Sequence, residues 1–313
     1  MVNYIFRRIV AAIAVMAMVG AFIFLLVRLA PGDPAAIIAG PNATQAIVAG
    51  IREQMGLNDP IAVQFVHWLL DILSGNLGTS VFSGRAVSEL ISQRLQPTIS
   101  LSLLTMMFSV TTGVSVGVVA AWRTGGLVDR LLAVFSSLGY SVPVFVVGYF
   151  LIYFFAMRTH WLPVQGYVPI DGGLGPWFVH LVLPTVTLSL TYIAFIARIT
   201  RASMLEVLSE DYMRTAAAKG ASSYAMLFHH ALKNAGVPIL TVIGLSFAGL
   251  IGGVVLTETV FNIPGVGRLV VDAINGRDYP IIQGVLILVS GLYVVINLAV
   301  DLSYTLVDPR IRY

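Results

Sequence analysis

Cysteine is absent from this 313-residue chain. That excludes disulfide bridges, thiolate metal sites and a cysteine nucleophile, although it identifies no compartment. Lysine is scarce, occurring at Lys219 and Lys233 alone. Charged residues make up 11% of the chain, against about 25% in an average soluble domain. The net charge is +3 and the pI near 9.2, but the arginines stand singly or in pairs. A nucleic-acid surface needs them clustered, so the basic excess reads as membrane topology.

Catalytic constellations are missing as well. The chain contains no His-Glu-x-x-His zinc motif and no Gly-x-Ser-x-Gly nucleophile elbow. His229 and His230 are adjacent, so on a helix they point in different directions and cannot chelate one metal from one face. His67, His160 and His180 are isolated interfacial side chains. No Walker A loop occurs, because Lys219 is followed by Gly220 and Lys233 by Asn234. The chain is therefore expected to bind no cofactor and no metal, and to hydrolyse no ATP itself. Nor does any Asp or Glu fall in mid-span, where a proton or sodium relay would place one. Asp301 comes nearest, close to a span end. Uphill movement of a solute would need a partner's energy.

What the chain has is apolar length: 58% hydrophobic residues and a mean hydropathy of +0.89. A membrane helix takes about 20 mostly apolar residues. Runs over Ile9–Val27, Gln96–Trp122, Leu131–Met157, Gly172–Ala197, Asn234–Thr257 and Tyr279–Val300 meet or approach that length. The first is expected to stay uncleaved, since its apolar core exceeds the roughly 7–15 residues of a signal peptide. The fold class is all-α integral membrane with six transmembrane helices.

Arginine and lysine set the expected orientation. With the N-terminus inside, the cytoplasmic side holds Arg7, Arg8, Arg123, Arg130, Arg198, Arg201, Arg214, Lys219, Lys233, Arg310 and Arg312. The short outer loops hold Arg158, Arg268 and Arg277. Both termini are then cytoplasmic and residues 31–94 extracytoplasmic. Within that segment Ile61–Leu73 has helical apolar spacing and reads as an interfacial or packed helix. Gly75–Gly84 reads as turns, and Ala86–Leu95 as a short helix running into Pro97. Arg28 and Asp33 are placed to pair across the turn after the first span. Gly113/Gly117 and Gly249/Gly253 have the spacing that lets helices approach closely, and Pro143 and Pro184 are expected to kink their spans.

The polar stretch Glu210–Pro238 has its own punctuation. Helix is expected from Ala202 to about Ala218, extending the fourth span. Lys219-Gly220 then supplies a stop, and Ser222 or Ser223 a cap for a second short helix, Tyr224–Leu232. That helix carries Tyr224, Met226, Leu227 and Phe228. It suits insertion into a partner's cleft, with an amphipathic helix lying on the membrane or on its own spans as the alternative. Glu258, where the fifth span ends, admits two readings: a group on the solute path, or a salt bridge with Arg268 or Arg277.

The loop resembles the cytoplasmic "EAA" loop of bacterial ABC importer permeases, where a glycine separates two helices and the second couples to the ATPase. Aligned on Gly220, the family's Glu-Ala-Ala falls on Arg214-Thr215-Ala216, and its Ile-x-Leu-Pro on His230-Ala231-Leu232-Lys233. Ala216, Gly220 and Leu232 match. The motif's glutamate has no counterpart, as in the variant of the peptide-importer branch. Arg7–Ala35, with its Arg-Leu-Ala-Pro-Gly-Asp-Pro exit, is similar to that branch's first span. "GLNDPIAVQFVHWL", "GNLGTS", Gly252–Gly284 and "VDLSYTLVDPRIRY" resemble its other segments. The chain is thus identified as resembling the inner-membrane permeases of the dipeptide, oligopeptide and nickel ABC importers.

The resemblance implies a type I importer fold. Residues 1–30 would form the first transmembrane helix, 31–94 the outer segment, 95–304 a five-span core containing the coupling loop 202–235, and 305–313 a cytoplasmic tail. It implies import of peptides or related small solutes across the bacterial inner membrane, with nickel-chelate or glutathione transport as alternatives. Implied partners are a second permease, two cytoplasmic ATPases carrying ATP and magnesium, an extracytoplasmic solute-binding protein and membrane lipid. An ion-coupled carrier or channel is the rival of a different class.

Overall fold

The computed structural model describes residues 2–29, 33–40, 43–54 and 56–307. Residues 30–32 of the exit motif and the C-terminal residues with Arg310 and Arg312 lie outside them. Among the described residues the chain is helical, with no strand and one isolated bridge, Thr79 to Ala86. Five helices are long and apolar enough to cross a membrane, and six do so if one bent pair counts as a single span. The helices are α1 (Val2–Leu29), α2 (Pro34–Ala39), α3 (Gln45–Gln54), α4 (Ile61–Leu73), α5 (Val87–Trp122), α6 (Leu127–Ser141), α7 (Val144–Leu151), α8 (Leu174–Leu208), α9 (Asp211–Ala218), α10 (Leu232–Asn234), α11 (Gly236–Val260), α12 (Val266–Gly276) and α13 (Tyr279–Val307).

Pro143 behaves differently from Pro184 and Pro97. The expected kink at Pro143 is a full break: the α6 and α7 segments meet at 105°. Val142 before it is extended, with ψ at 121°, as a residue preceding proline prefers. By contrast α8 continues through Pro184. Pro97 likewise sits inside α5, so Ala86–Leu95 is no separate helix but that span's first turns. A mid-helix proline forfeits one backbone bond, and fully buried Val87 and Leu101 on either side of Pro97 hold the helix in place.

The chain forms two compact units, one of residues 7–96 and 265–294, the other of 97–264 with the two chain ends. In the first, Val87, Ile91, Val266, Leu269, Ala273, Ile281 and Val285 form the core. Phe24 of α1 packs edge-on to Phe65 at 5.2 Å and beside Trp68 at 5.4 Å, which fixes α4 as a packed helix. The expected Arg28–Asp33 pair does not form. Arg28 lies over the Phe24 ring at 4.0 Å and donates to Gln64 at 2.9 Å. Asp33 caps α2 through the Ala35 N–H and pairs with Arg52 at 2.7 Å. Residues 30–32 intervene between the two, and a carboxylate capping its own helix is already committed.

In the second unit the glycine spacing has its expected use. A Cβ on Gly113 would meet Ile196 at 3.0 Å, and one on Gly117 would meet Thr200 at 2.6 Å and the Ala197 carbonyl at 2.7 Å. These glycines let α5 lie against α8. A Cβ on Gly253 would likewise meet Leu188 of α8 at 2.7 Å. Leu101, Met106, Leu181, Leu188, Leu250, Phe261 and Ile263 lie in the cluster that closes this core.

Candidate functional site

The polar loop between α8 and α11 is built by a sequence of stops. α8 ends at Leu208 rather than running to Ala218: the Ser209 hydroxyl bonds the Glu206 carbonyl at 2.7 Å, and Glu210 is extended with ψ at 146°. Asp211 then stands in the first turn of α9, where a negative charge suits the helix dipole. At its other end Gly220 has φ +82°. The Gly220 N–H reaches the Ala217 carbonyl at 2.9 Å and the Ala221 N–H reaches Ala216 at 3.2 Å. That is the paired bonding of a left-handed helix stop, which favours glycine.

Of the two candidate caps it is Ser222 that acts, its Oγ accepting from the Ala225 N–H at 3.3 Å. The new helix winds in wide π turns over Ala225–Ala231 and passes into α10. Its face is divided. Met226, Leu227 and Leu232 are half-buried and pack on a cluster of buried Met204, Met213, Ala231, Ala235 and Ile239. Met226 and Leu227, expected among the exposed docking side chains, are therefore anchors, because the π turns bring both onto the buried face. Tyr224 and Phe228 point away, 65% and 45% exposed, with ring centroids 4.7 Å apart. His229 is exposed and His230 half-buried.

The remaining loop candidates lie on α9. Arg214 is exposed and sits 3.6 Å from Asp211, an exposed pair of little energetic weight. Thr215 is exposed, its hydroxyl bonded to the Asp211 carbonyl at 3.1 Å. Ala216 is half-buried and supplies the carbonyl that closes the Gly220 stop. Sequence reasoning passed over Met213, at 1% exposure the buried pin of α9. A lone long apolar side chain among the polar residues Glu210–Arg214 was its signal. Tyr212 was missed too. Its hydroxyl is held above the ordinary tyrosine range by burial first and the Glu210 charge second, while its hydrogen bond with Asn234 opposes both.

Glu258 lies in the last turn of α11 and is 0% exposed. The Thr98 hydroxyl donates to its Oε1 at 2.5 Å, and its carbonyl accepts from the Ile263 N–H at 2.8 Å. The chain beyond is clamped: the Gly166 N–H donates to the Phe261 carbonyl at 2.9 Å. Arg268, one of the arginines considered for Glu258, lies 3.9 Å from Asp272.

Comparison with known proteins places this architecture. Residues 113–313 match the family described as binding-protein-dependent transport system inner membrane component, and residues 1–102 match its N-terminal companion. The chain belongs to this family. It is 76% identical over 310 residues to the "Probable peptide ABC transporter permease protein y4tP" of Sinorhizobium fredii, covering 99% of both chains. It is 42% identical to the glutathione transport system permease protein GsiC of Salmonella typhimurium, over the whole of each. A chain of the MetNI methionine ABC transporter superposes with a TM-score of 0.57 at 19% identity, over 70% of this chain and 96% of that one. That likeness supports the type I importer permease fold. The protein is thus a multi-pass inner-membrane transport subunit of an ABC importer.

Proposed function

We propose that this permease is one of two in an ATP-driven importer of peptides, and that its Gly220–Leu232 loop receives the force of two cytoplasmic ATPases. The observation that carries the reading is the Tyr224–Phe228 pair. Two aromatic rings are held outward on a short helix whose opposite face is pinned to the buried methionines, between a glycine stop and the start of α11. Such a helix transmits a push at its exposed face to α11 without bending. ATP binding would close the ATPase pair, and the spans would shift between inward- and outward-facing populations.

Both termini would be cytoplasmic, residues 31–94 extracytoplasmic, and the latter the docking surface for a solute-binding protein. Peptides are the proposed solute on the strength of the 76% identical relative. Glutathione, itself a small peptide, is the second reading, from the relative at 42% identity. Glu258 supports the structure here, not the solute path: its carboxyl is enclosed and takes the Thr98 hydroxyl.

The test is co-purification with uptake. The Gly220→Pro change removes the Gly220 N–H and cannot adopt φ +82°. It is expected to lose the ATPases or to uncouple hydrolysis from uptake. Unchanged peptide uptake by that variant would refute the coupling role. Competition between a dipeptide, glutathione and a nickel chelate for uptake assigns the solute.

A further inference from the structure

A cavity of about 270 Å³ is lined by the end of α1, by α4 and by the first turns of α13, all within one compact unit. From α4 it takes Gln64, His67, Trp68 and Asp71, whose i, i+3, i+4, i+7 spacing puts them along one helix face. Pro280 and Gln283 line it from α13. A second hollow of about 130 Å³ shares Trp68, Asp71, Pro280 and Gln283 with the first.

The cavity holds two opposite charges that do not neutralise each other. Arg28 is tied to the Gln64 end by its 2.9 Å hydrogen bond. Asp71 stands two helical turns along the same face, about 10 Å from Gln64 at ~1.5 Å per residue. Among the described residues no carboxylate pairs with Arg28 and no cation with Asp71. The Asp71 Oδ1 accepts from the Asn76 amide at a long 3.4 Å. Gln283 adds an unsatisfied donor, since its Nε2 is buried with no hydrogen-bond partner.

A ligand matching this lining carries an anion and a cation about 10 Å apart, with hydrogen-bond acceptors between them. A lone anion would leave Asp71 unmatched beside it, and a lone cation would leave Arg28. An extended chain spans about 3.5 Å per residue, so one amino acid is too short and three residues cover the distance. The volume lies at the small end of ligand pockets, which start near ~300 Å³.

We propose that this cavity is a binding site for a short peptide of about three residues, with its carboxylate at Arg28, its ammonium at Asp71 and its backbone along Trp68. Its use, holding a peptide beside the end of α1, rests on the proposed import of peptides.

The experiment is equilibrium dialysis of radiolabelled triglycine against the full-length protein with its co-purifying subunits, in the absence of a solute-binding protein. The wild type is expected to bind one equivalent. Arg28→Gln and Asp71→Asn should each weaken binding about tenfold, as loss of one charged hydrogen bond does. Capped peptides assign the two ends. N-acetyltriglycine lacks the ammonium, so Asp71→Asn should leave its binding unchanged. Triglycine amide lacks the carboxylate and should be indifferent to Arg28→Gln. Asp71 is exposed and asparagine is isosteric with it, so this arm decides the matter even where Arg28→Gln folds poorly. Absent binding by the wild type overturns the proposal. So does unaltered triglycine binding by Asp71→Asn, an equal loss of free and acetylated peptide in that variant, or glycine binding as tightly as triglycine. Uptake by the same proteins separates the two readings. Intact peptide uptake without triglycine binding removes the site and spares the import reading, whereas binding that meets these criteria without uptake does the reverse.

Discussion

The two ends of α11 are opposites. Just before it begins, the chain displays Tyr224 and Phe228 to solvent. In its last turn it encloses Glu258, with no exposed surface and the Thr98 hydroxyl as a hydrogen-bond donor. The helix has 25 residues, so the ends stand about 35 Å apart at ~1.5 Å per residue. The apolar surface is outside at one end and the carboxylate inside at the other. Each reverses where a lone chain would place it. On the proposed coupling the exposed aromatic pair would be held for a partner, whereas the enclosed carboxyl would serve what it holds together within the chain.

Substitution separates the two ends. Glu258→Ala leaves a cavity and the Thr98 hydroxyl without its acceptor. It is expected to cost about 3 kcal/mol in a detergent unfolding titration, while Glu258→Gln, which keeps an acceptor oxygen, costs about 1 kcal/mol. Equal losses for the two would show that the hydrogen bond contributes nothing. Gly117→Ala tests the framework near the loop end instead, because its Cβ would lie 2.6 Å from Thr200. A loss of about 1–3 kcal/mol is expected by the same titration.

Gly220→Ala puts a Cβ where nothing lies within 4 Å, so only its positive φ is strained. About 1 kcal/mol is expected, with Gly220→Asn milder because asparagine tolerates that conformation. The smallest change in stability belongs to Tyr224→Ala with Phe228→Ala, within about 0.5 kcal/mol, as for surface positions. That double variant should nevertheless reduce ATPase co-purification and uptake more than Gly117→Ala does. A large loss of stability with intact uptake would reverse the contrast between the two ends.

Much of this was legible in the chain itself. The apolar runs locate the long helices because 3.6-residue winding and bilayer thickness leave little freedom in length. Gly220 was legible as a stop because its role depends on one residue's backbone. The Gly113/Gly117 spacing was legible because i and i+4 share a helix face. Pro143, Pro184 and Pro97 were not separable, because whether a proline breaks a helix depends on what packs on either side. The division of Tyr224 and Phe228 from Met226 and Leu227 was hidden as well, since ordinary helical spacing does not anticipate π winding over Ala225–Ala231.

By itself, then, the sequence determined that this chain is helical, lives in the bilayer, and carries one punctuated polar loop. Those properties follow from local composition, periodicity and single-residue backbone preferences. Tertiary structure alone decided that Glu258 is enclosed, that Arg28 turns to Gln64 while Asp33 takes Arg52, and that Arg28 and Asp71 line one cavity. Each of these depends on residues 19 to 160 positions apart in some pairing, and the distance between such residues is set by how whole helices pack, which no local pattern encodes.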